Sequence, residues 1–212
     1  MNISRRNLAI SAAVLGLVPG AIRAQSPFDE GIDYRVLRER VATSSPGKVE
    51  VLEFFWYACP FCYQLESHLD KWKTKGAADV VFRKVHVAFR DDIQQKLFYA
   101  LSDLGQAESL GPKVFEAIHQ RRMPMTSMAE ISSWAKSNGL DAAKLEATMN
   151  SFSVQTQQKR ANALVNAYRI DGVPVFGIAG RYITSPAMVG GNHARALQVV
   201  DHLVALERKA PR

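Results

Sequence analysis

The 212-residue chain has only two cysteines, and they stand three positions apart in Cys59-Pro60-Phe61-Cys62. A disulfide between them would close a very short loop, restrict the unfolded chain little and make a poor structural staple. The spacing suits exchange chemistry instead: one sulfur can be attacked while the other leaves and later returns. The competing use of two such sulfurs is as soft ligands for zinc or copper. A structural zinc site needs four ligands at suitable spacing, and there is no second C-x-x-C and no pair of histidines a few residues apart. His68, His86, His119, His193 and His202 are scattered over predicted helices and strands, so no metal and no other cofactor is expected.

The elements around the pair decide what each sulfur can do. Val49 to Tyr57 is the strongest strand signal in the chain, with Val49, Val51, Phe55 and Tyr57 on one face and Leu52, Phe54 and Trp56 on the other. A strand apolar on both faces belongs in the middle of a sheet covered on both sides. Tyr63 to Lys75 follows as a helix, with Leu65, Leu69 and Trp72 along one face and Gly76 as its stop. Pro60 fits the first helical turn, where its missing N–H costs nothing. Cys59 is thereby placed at the helix N-terminus, facing unpaired N–H groups and the positive end of the macrodipole, which favours thiolate over thiol. Cys62 lies one turn further in, within reach of the first sulfur and more covered by the fold.

Val80 to Phe89 is a second strand, and strand, helix and strand in this order make a right-handed βαβ unit with parallel strands. Ahead of it, Tyr34 to Leu37 reads as a short edge strand. From about Asp91 to Arg169 no strand is expected. Ser127 and Glu130 form a capping box for a helix closed by Gly139, and Asp141 caps the next helix, whose Leu145, Met149 and Phe152 share a face. Strand character returns at Val173 to Ile178, and Ala179-Gly180 turns it into a hairpin with Arg181-Tyr182-Ile183. A loop with Pro186, Gly190 and Gly191 leads to a last helix lined by Ala196, Val199, Val200 and Leu203. The order βαβ, helical block, ββα describes one α/β domain interrupted by a helical insertion.

The first 24 residues have the three-part order of an export signal: Arg5-Arg6, an apolar run from Leu8 to Val18, and a break at Pro19-Gly20. Cleavage is expected after Ala24. Ser4 to Leu8 resembles a twin-arginine signal, so both the general secretory and the twin-arginine routes stay open. The run is too short to span a bilayer of roughly 30 Å. The chain carries 27 basic and 20 acidic side chains. Without Arg5, Arg6 and Arg23 the 27 become 24, an excess of about +4 that serves solubility. No basic stripe with stackable aromatics suggests nucleic acid.

With these residues in place a resemblance can be named. Val51-Leu52-Glu53-Phe54-Phe55 followed by Cys59-Pro60-Phe61-Cys62-Tyr63-Gln64 resembles the bacterial periplasmic DsbA-type disulfide oxidoreductases, which have a thioredoxin-like fold. Lys84 to Phe89 resembles the family's second core strand, Gly172-Val173-Pro174 its cis-proline loop, and the helical block falls where the family carries its insertion. The resemblance covers essentially the whole chain after the signal. It implies an export signal over 1–24, a thioredoxin-like domain over 25–90 and 170–212, and a helical insertion domain over 91–169. It also implies a monomer located in the periplasm.

In activity, the resemblance implies that Cys59 is the nucleophilic sulfur and Cys62 the buried one, and that their disulfide is donated to folding secreted proteins with free cysteines. Reoxidation would fall to a quinone-linked inner-membrane partner of the DsbB type. A reductase or isomerase on the same fold is the alternative; exported isomerases usually add a dimerisation domain, for which the N-terminal stretch leaves no room. Phe61 stands where the family often has His, and a phenyl ring offers the nearby thiolate only weak edge interactions. Pro60 and Phe61 are expected to border the substrate.

Three further residues are read against simpler alternatives. Glu53 is a carboxylate in an apolar strand: burial would raise its pKa and suit it to pass protons to and from Cys62, or it reaches the sheet end and pairs with a lysine such as Lys84. Pro174 on its own would be an ordinary trans turn proline. The resemblance instead implies a cis bond beside the cysteines, with the Val173 backbone free to pair with an extended substrate segment. His86 reads as a packed core histidine.

Overall fold

The computed structural model describes residues 27–73 and 77–210. The signal read over 1–24 and the helix stop at Gly76 lie outside the described residues. Five strands, β1 (Arg35–Val36), β2 (Val49–Phe55), β3 (Val80–His86), β4 (Val175–Ile178) and β5 (Tyr182–Thr184), form one sheet in the order β1-β5-β4-β2-β3. β2 runs parallel to β3, with Val49 opposite Val80 and Phe55 opposite His86. It runs antiparallel to β4, with Val51 opposite Ile178 and Phe54 opposite Val175. All seven β2 residues are buried, as befits an apolar strand paired on both edges.

Helix α1 (Pro60–Lys73) crosses from β2 to β3, and α7 (His193–Lys209) closes the chain. Between β3 and β4 come α2 (Ile93–Asp103), α3 (Ala107–His119), α4 (Met128–Ser137), α5 (Ala142–Met149) and α6 (Phe152–Tyr168). The βαβ unit, a helix-only block and a ββα end make this a thioredoxin-like core with a helical insertion. Two apolar clusters divide the interior. Val51, Phe176 and Ile178 pack with Leu65 and Leu69 of α1 and Val199, Val200 and Leu203 of α7. Leu52 and Phe54 belong to a second cluster, with Leu97, Phe115, Trp134 and Leu145 of the helical block.

Three local readings need correction. β2 ends at Phe55, and Trp56 and Tyr57 lie beyond it in a turn closed by the Cys59 N–H on the Trp56 carbonyl at 3.0 Å. Phe55 and Tyr57 join the helical-block cluster rather than that of Val49 and Val51, so strict alternation fails at the strand end nearest the cysteines. The helix after Asp141 stops at Met149; Ser151 caps a new one, accepting the Val154 N–H at 3.2 Å, and Phe152 is 82% exposed instead of sharing the Leu145 face. A hydroxyl placed to cap outweighs an apolar spacing continued by one residue.

The other elements fall where the sequence put them with shifted ends: β1 is Arg35–Val36 rather than Tyr34 to Leu37, α1 begins at Pro60 rather than Tyr63, β3 stops at His86 rather than Phe89, and β4 begins at Val175 rather than Val173. Ser127 and Asp141 cap α4 and α5 through their side chains. Ala179 and Gly180, both at positive φ (53° and 66°), are the central residues of the turn Ile178–Arg181 that joins β4 to β5, closed by the Arg181 N–H on the Ile178 carbonyl at 2.9 Å. Among the described residues no helix is long and apolar enough to cross a membrane.

Candidate active site

β2 delivers the chain to the cysteines through the turn Trp56–Cys59, and α1 begins at once with Pro60. Cys59 caps the helix from outside: its carbonyl accepts the Tyr63 N–H at 3.1 Å, the first bond of the helical ladder. Both cysteines are free thiols in the structure. Their surroundings differ. Cys59 is 7% exposed and Cys62 is fully enclosed.

That asymmetry sets their acidities. A hydrogen bond from the Cys62 thiol favours a Cys59 thiolate; burial opposes it; and the backbone N–H groups of Cys62 and Phe61 favour it again, leaving Cys59 at about 6. Burial pushes the Cys62 thiol strongly upward, and the neighbouring Cys59 and Glu53 charges add to the effect. One sulfur is therefore an anion at neutral pH and the other a thiol.

The segment before β4 completes the site from the far side of the insertion. The Val173–Pro174 bond is cis, Pro174 is buried, and the Cys59 Sγ lies 3.4 Å from the Val173 carbonyl oxygen. That carbonyl and the Cys59 sulfur thus lie side by side. Pro60 is exposed and the Phe61 ring is 60% exposed beside them.

Beneath the pair, Glu53 is fully buried, and among the described residues neither of its carboxylate oxygens has a partner within hydrogen-bond geometry. Lys84 Nζ lies 3.5 Å from Glu53 Oε2 and 2.5 Å from Glu66 Oε1. Burial raises the Glu53 carboxyl to about 7, against the opposing pull of Lys84. Burial would lower the Lys84 ammonium, but Glu53 and Glu66 outweigh it and its pKa is raised. Glu53 is thus both buried and beside Lys84. The ammonium also lies 4.8 Å from the centre of the Phe55 ring.

Two contributors had no signal in the sequence. Glu66 reaches Lys84 from α1, and only the register of α1 against β3 brings them together. His119, at the end of α3, contacts the Tyr57 carbonyl at 2.8 Å across 62 residues of chain. His86 is enclosed as expected, and burial, with the Lys84 charge second, holds it down to about 3, so it is neutral. Among the described residues no group of three or more His, Cys, Asp or Glu side chains is placed to hold a metal ion.

Comparison with known proteins agrees with this geometry. The model of the DSBA-like thioredoxin domain family matches residues 93–199. The Bordetella parapertussis thiol:disulfide interchange protein DsbA is 44% identical over 169 residues, covering 79% of this chain and 80% of that one. The Pseudomonas aeruginosa protein of the same name is 33% identical over 209 residues, covering 97% and 98%. The crystal structure of Pseudomonas aeruginosa DsbA superposes with a TM-score of 0.81 at 33% identity, over 85% of this chain and 95% of that one. NmDsbA1 from Neisseria meningitidis gives 0.74 at 26% identity, over 86% and 96%. An activated sulfur on a helix N-terminus, a shielded partner and relatives matched along nearly their whole length lead to one assignment: the chain belongs to the periplasmic DsbA family of thiol:disulfide oxidoreductases, which donate disulfides to their substrates.

Proposed function

We propose that Cys59 is the sulfur attacked by substrate and Cys62 the one that leaves and returns. The observation that carries this is the opposed acidity of the two thiols, with Cys59 at about 6 and Cys62 pushed up by burial. A substrate thiolate attacks Cys59 of the oxidised pair, the Cys59–Cys62 bond breaks, and its electron pair leaves on Cys62, which takes a proton. A second substrate thiolate then attacks the substrate's own sulfur and expels Cys59 as a stabilised thiolate. The substrate loses two electrons and gains a disulfide; the enzyme pair gains the same two electrons.

Glu53 is the group assigned to supply the Cys62 proton, since it titrates at about 7 and its charge acts on that sulfur. Val173 offers its backbone to an extended substrate segment, Pro174 shapes that edge, and Pro60 and Phe61 border the bound chain. Reoxidation is assigned to a quinone-linked membrane partner of the DsbB type. The working form is a monomer, with residues 1–24 removed after export by the secretory or twin-arginine route. Residues 25–90 and 170–212 act as the redox domain and 91–169 as its insertion.

The test is Cys62→Ala in cells producing secreted proteins with cysteines. It should accumulate mixed disulfides through Cys59, whereas Cys59→Ala should trap few. Substrates attached equally to both sulfurs by mass spectrometry would refute the assignment.

A further inference from the structure

Both backbone groups of Tyr57, two residues before the reactive cysteine, are held by histidines from two different elements. The Tyr57 N–H donates to His86 Nε2 at 3.3 Å, and the Tyr57 carbonyl lies 2.8 Å from His119 Nε2. The two imidazoles must play opposite parts. His86 accepts through Nε2, so its proton sits on Nδ1. A carbonyl can only accept, so His119 carries its proton on Nε2 and donates.

The place matters because Tyr57 is the first of the two central residues in the turn Trp56–Cys59. Fixing the N–H and the carbonyl of one residue fixes the peptide planes on both sides of its Cα, and hence its φ and ψ. Those angles aim Cys59 at the N-terminus of α1. The Tyr57 ring is buried against Phe55 at 5.2 Å and Phe115 at 5.0 Å, so the side chain anchors the same residue.

His119 also reaches the other flank of the motif. Its ring lies parallel to Tyr63, 4.9 Å between centroids and 6° between planes, and Gln120 hydrogen-bonds the Tyr63 hydroxyl. Tyr63 directly follows Cys62. One residue at the end of α3 therefore grips the chain just before and just after the cysteines.

We propose that His119 is a positioning residue for the exchange reaction, acting with His86 to lock the Tyr57 turn so that Cys59 keeps its alignment with the α1 N–H groups. This rests on Cys59 being the attacked sulfur. It assigns the helical insertion a part in the chemistry, because α3 belongs to the insertion and neither sulfur does.

The test compares two substitutions with opposite deficits. His119→Phe keeps a ring against Tyr63 and removes the donor; His119→Gln keeps an N–H donor and removes the ring. The readouts are thiolate absorbance against pH and the rate of iodoacetamide alkylation of the reduced protein at pH 5. His119→Phe should raise the Cys59 pKa by about half to one unit, lowering the alkylation rate about three- to tenfold, while His119→Gln stays within about twofold of wild type. A wild-type rate in His119→Phe, or a loss in His119→Gln equal to that in His119→Phe, would overturn the proposal.

Nitrogen NMR of the unmutated protein gives a test that needs no variant to fold: His119 should be protonated at Nε2 and His86 at Nδ1. An Nδ1–H tautomer at His119 would end the idea, since Nε2 could not then donate. If wild-type alkylation mapped to Cys62, the roles assigned to the two sulfurs would fail, and the tautomers would still decide the clamp.

Discussion

Replacing Glu53 with Gln should make the protein more stable at neutral pH, although it removes one partner of a buried ion pair. The carboxyl is fully enclosed, among the described residues it has no hydrogen bond, and its pKa rises from 4.5 to about 7 on folding. A rise of that size makes the ionised form cost about 3 kcal/mol in the folded state. The direction follows from proton linkage: the folded protein holds this proton more tightly than the unfolded chain does. The contribution is therefore complete below pH 4.5 and is lost as pH rises through about 7. Lys84, whose own pKa is raised, stays charged throughout that window and keeps Glu66 as a partner at 2.5 Å. Glutamine has no such proton to lose. Urea unfolding of the reduced wild type and Glu53→Gln at steps from pH 4.5 to 8 should show the variant gaining up to about 3 kcal/mol on the wild type as pH rises. The Cys59 titration, common to both proteins, cancels in the difference. A difference that stays flat, or that moves in favour of the wild type, would show that folding does not raise the Glu53 pKa.

Phe61→His should bring a donor to the Cys59 thiolate, lower its pKa below about 6 and make the protein a stronger oxidant by roughly 30 mV for about 1.4 kcal/mol. Equilibration with glutathione measures this, and an unchanged or raised pKa would show that the helix and the enclosed shell set the redox poise. Because the folded Cys59 pKa is depressed from 9 to about 6, reduced protein should gain stability relative to oxidised as pH rises between those values; calorimetry of both forms showing the opposite slope would contradict it. Gly177→Ala would place a Cβ 2.4 Å from Tyr168 Cε1 and should cost about 1–3 kcal/mol in denaturant unfolding; a neutral result would mean the ring shifts freely. Ser151→Ala should cost about 1 kcal/mol through loss of the α6 cap, and no change in melting would argue against that cap.

The frame of the fold was legible because its signals are local. Val49 to Phe55 is apolar at five of its seven positions, Pro60 suits the first turn of a helix, and Ala179-Gly180 has the chemistry of a tight turn. The two cysteines declare themselves by spacing alone. Sequence periodicity erred where tertiary packing decides: the helical block claims Phe55 and Tyr57, and a serine hydroxyl ends the face that Phe152 seemed to continue. Glu53 could be marked as unusual, but its hold on Lys84 depends on the parallel register that sets Glu53 opposite that lysine. His119 was not legible at all. Nothing in its neighbourhood of sequence says that a helix end will meet the carbonyl of Tyr57.

The contact between Cys59 and the Val173 carbonyl joins positions 114 residues apart. In a chain synthesised from its N-terminus both cysteines precede Val173 by more than a hundred residues. Closing a loop of that length costs about 4 kcal/mol in chain entropy, a cost met only when β4 docks on β2. Until then the cysteines lack the Val173 carbonyl that lies beside Cys59 in the fold. The site is thus complete only once the last fifth of the polypeptide, residues 173–212, has been made.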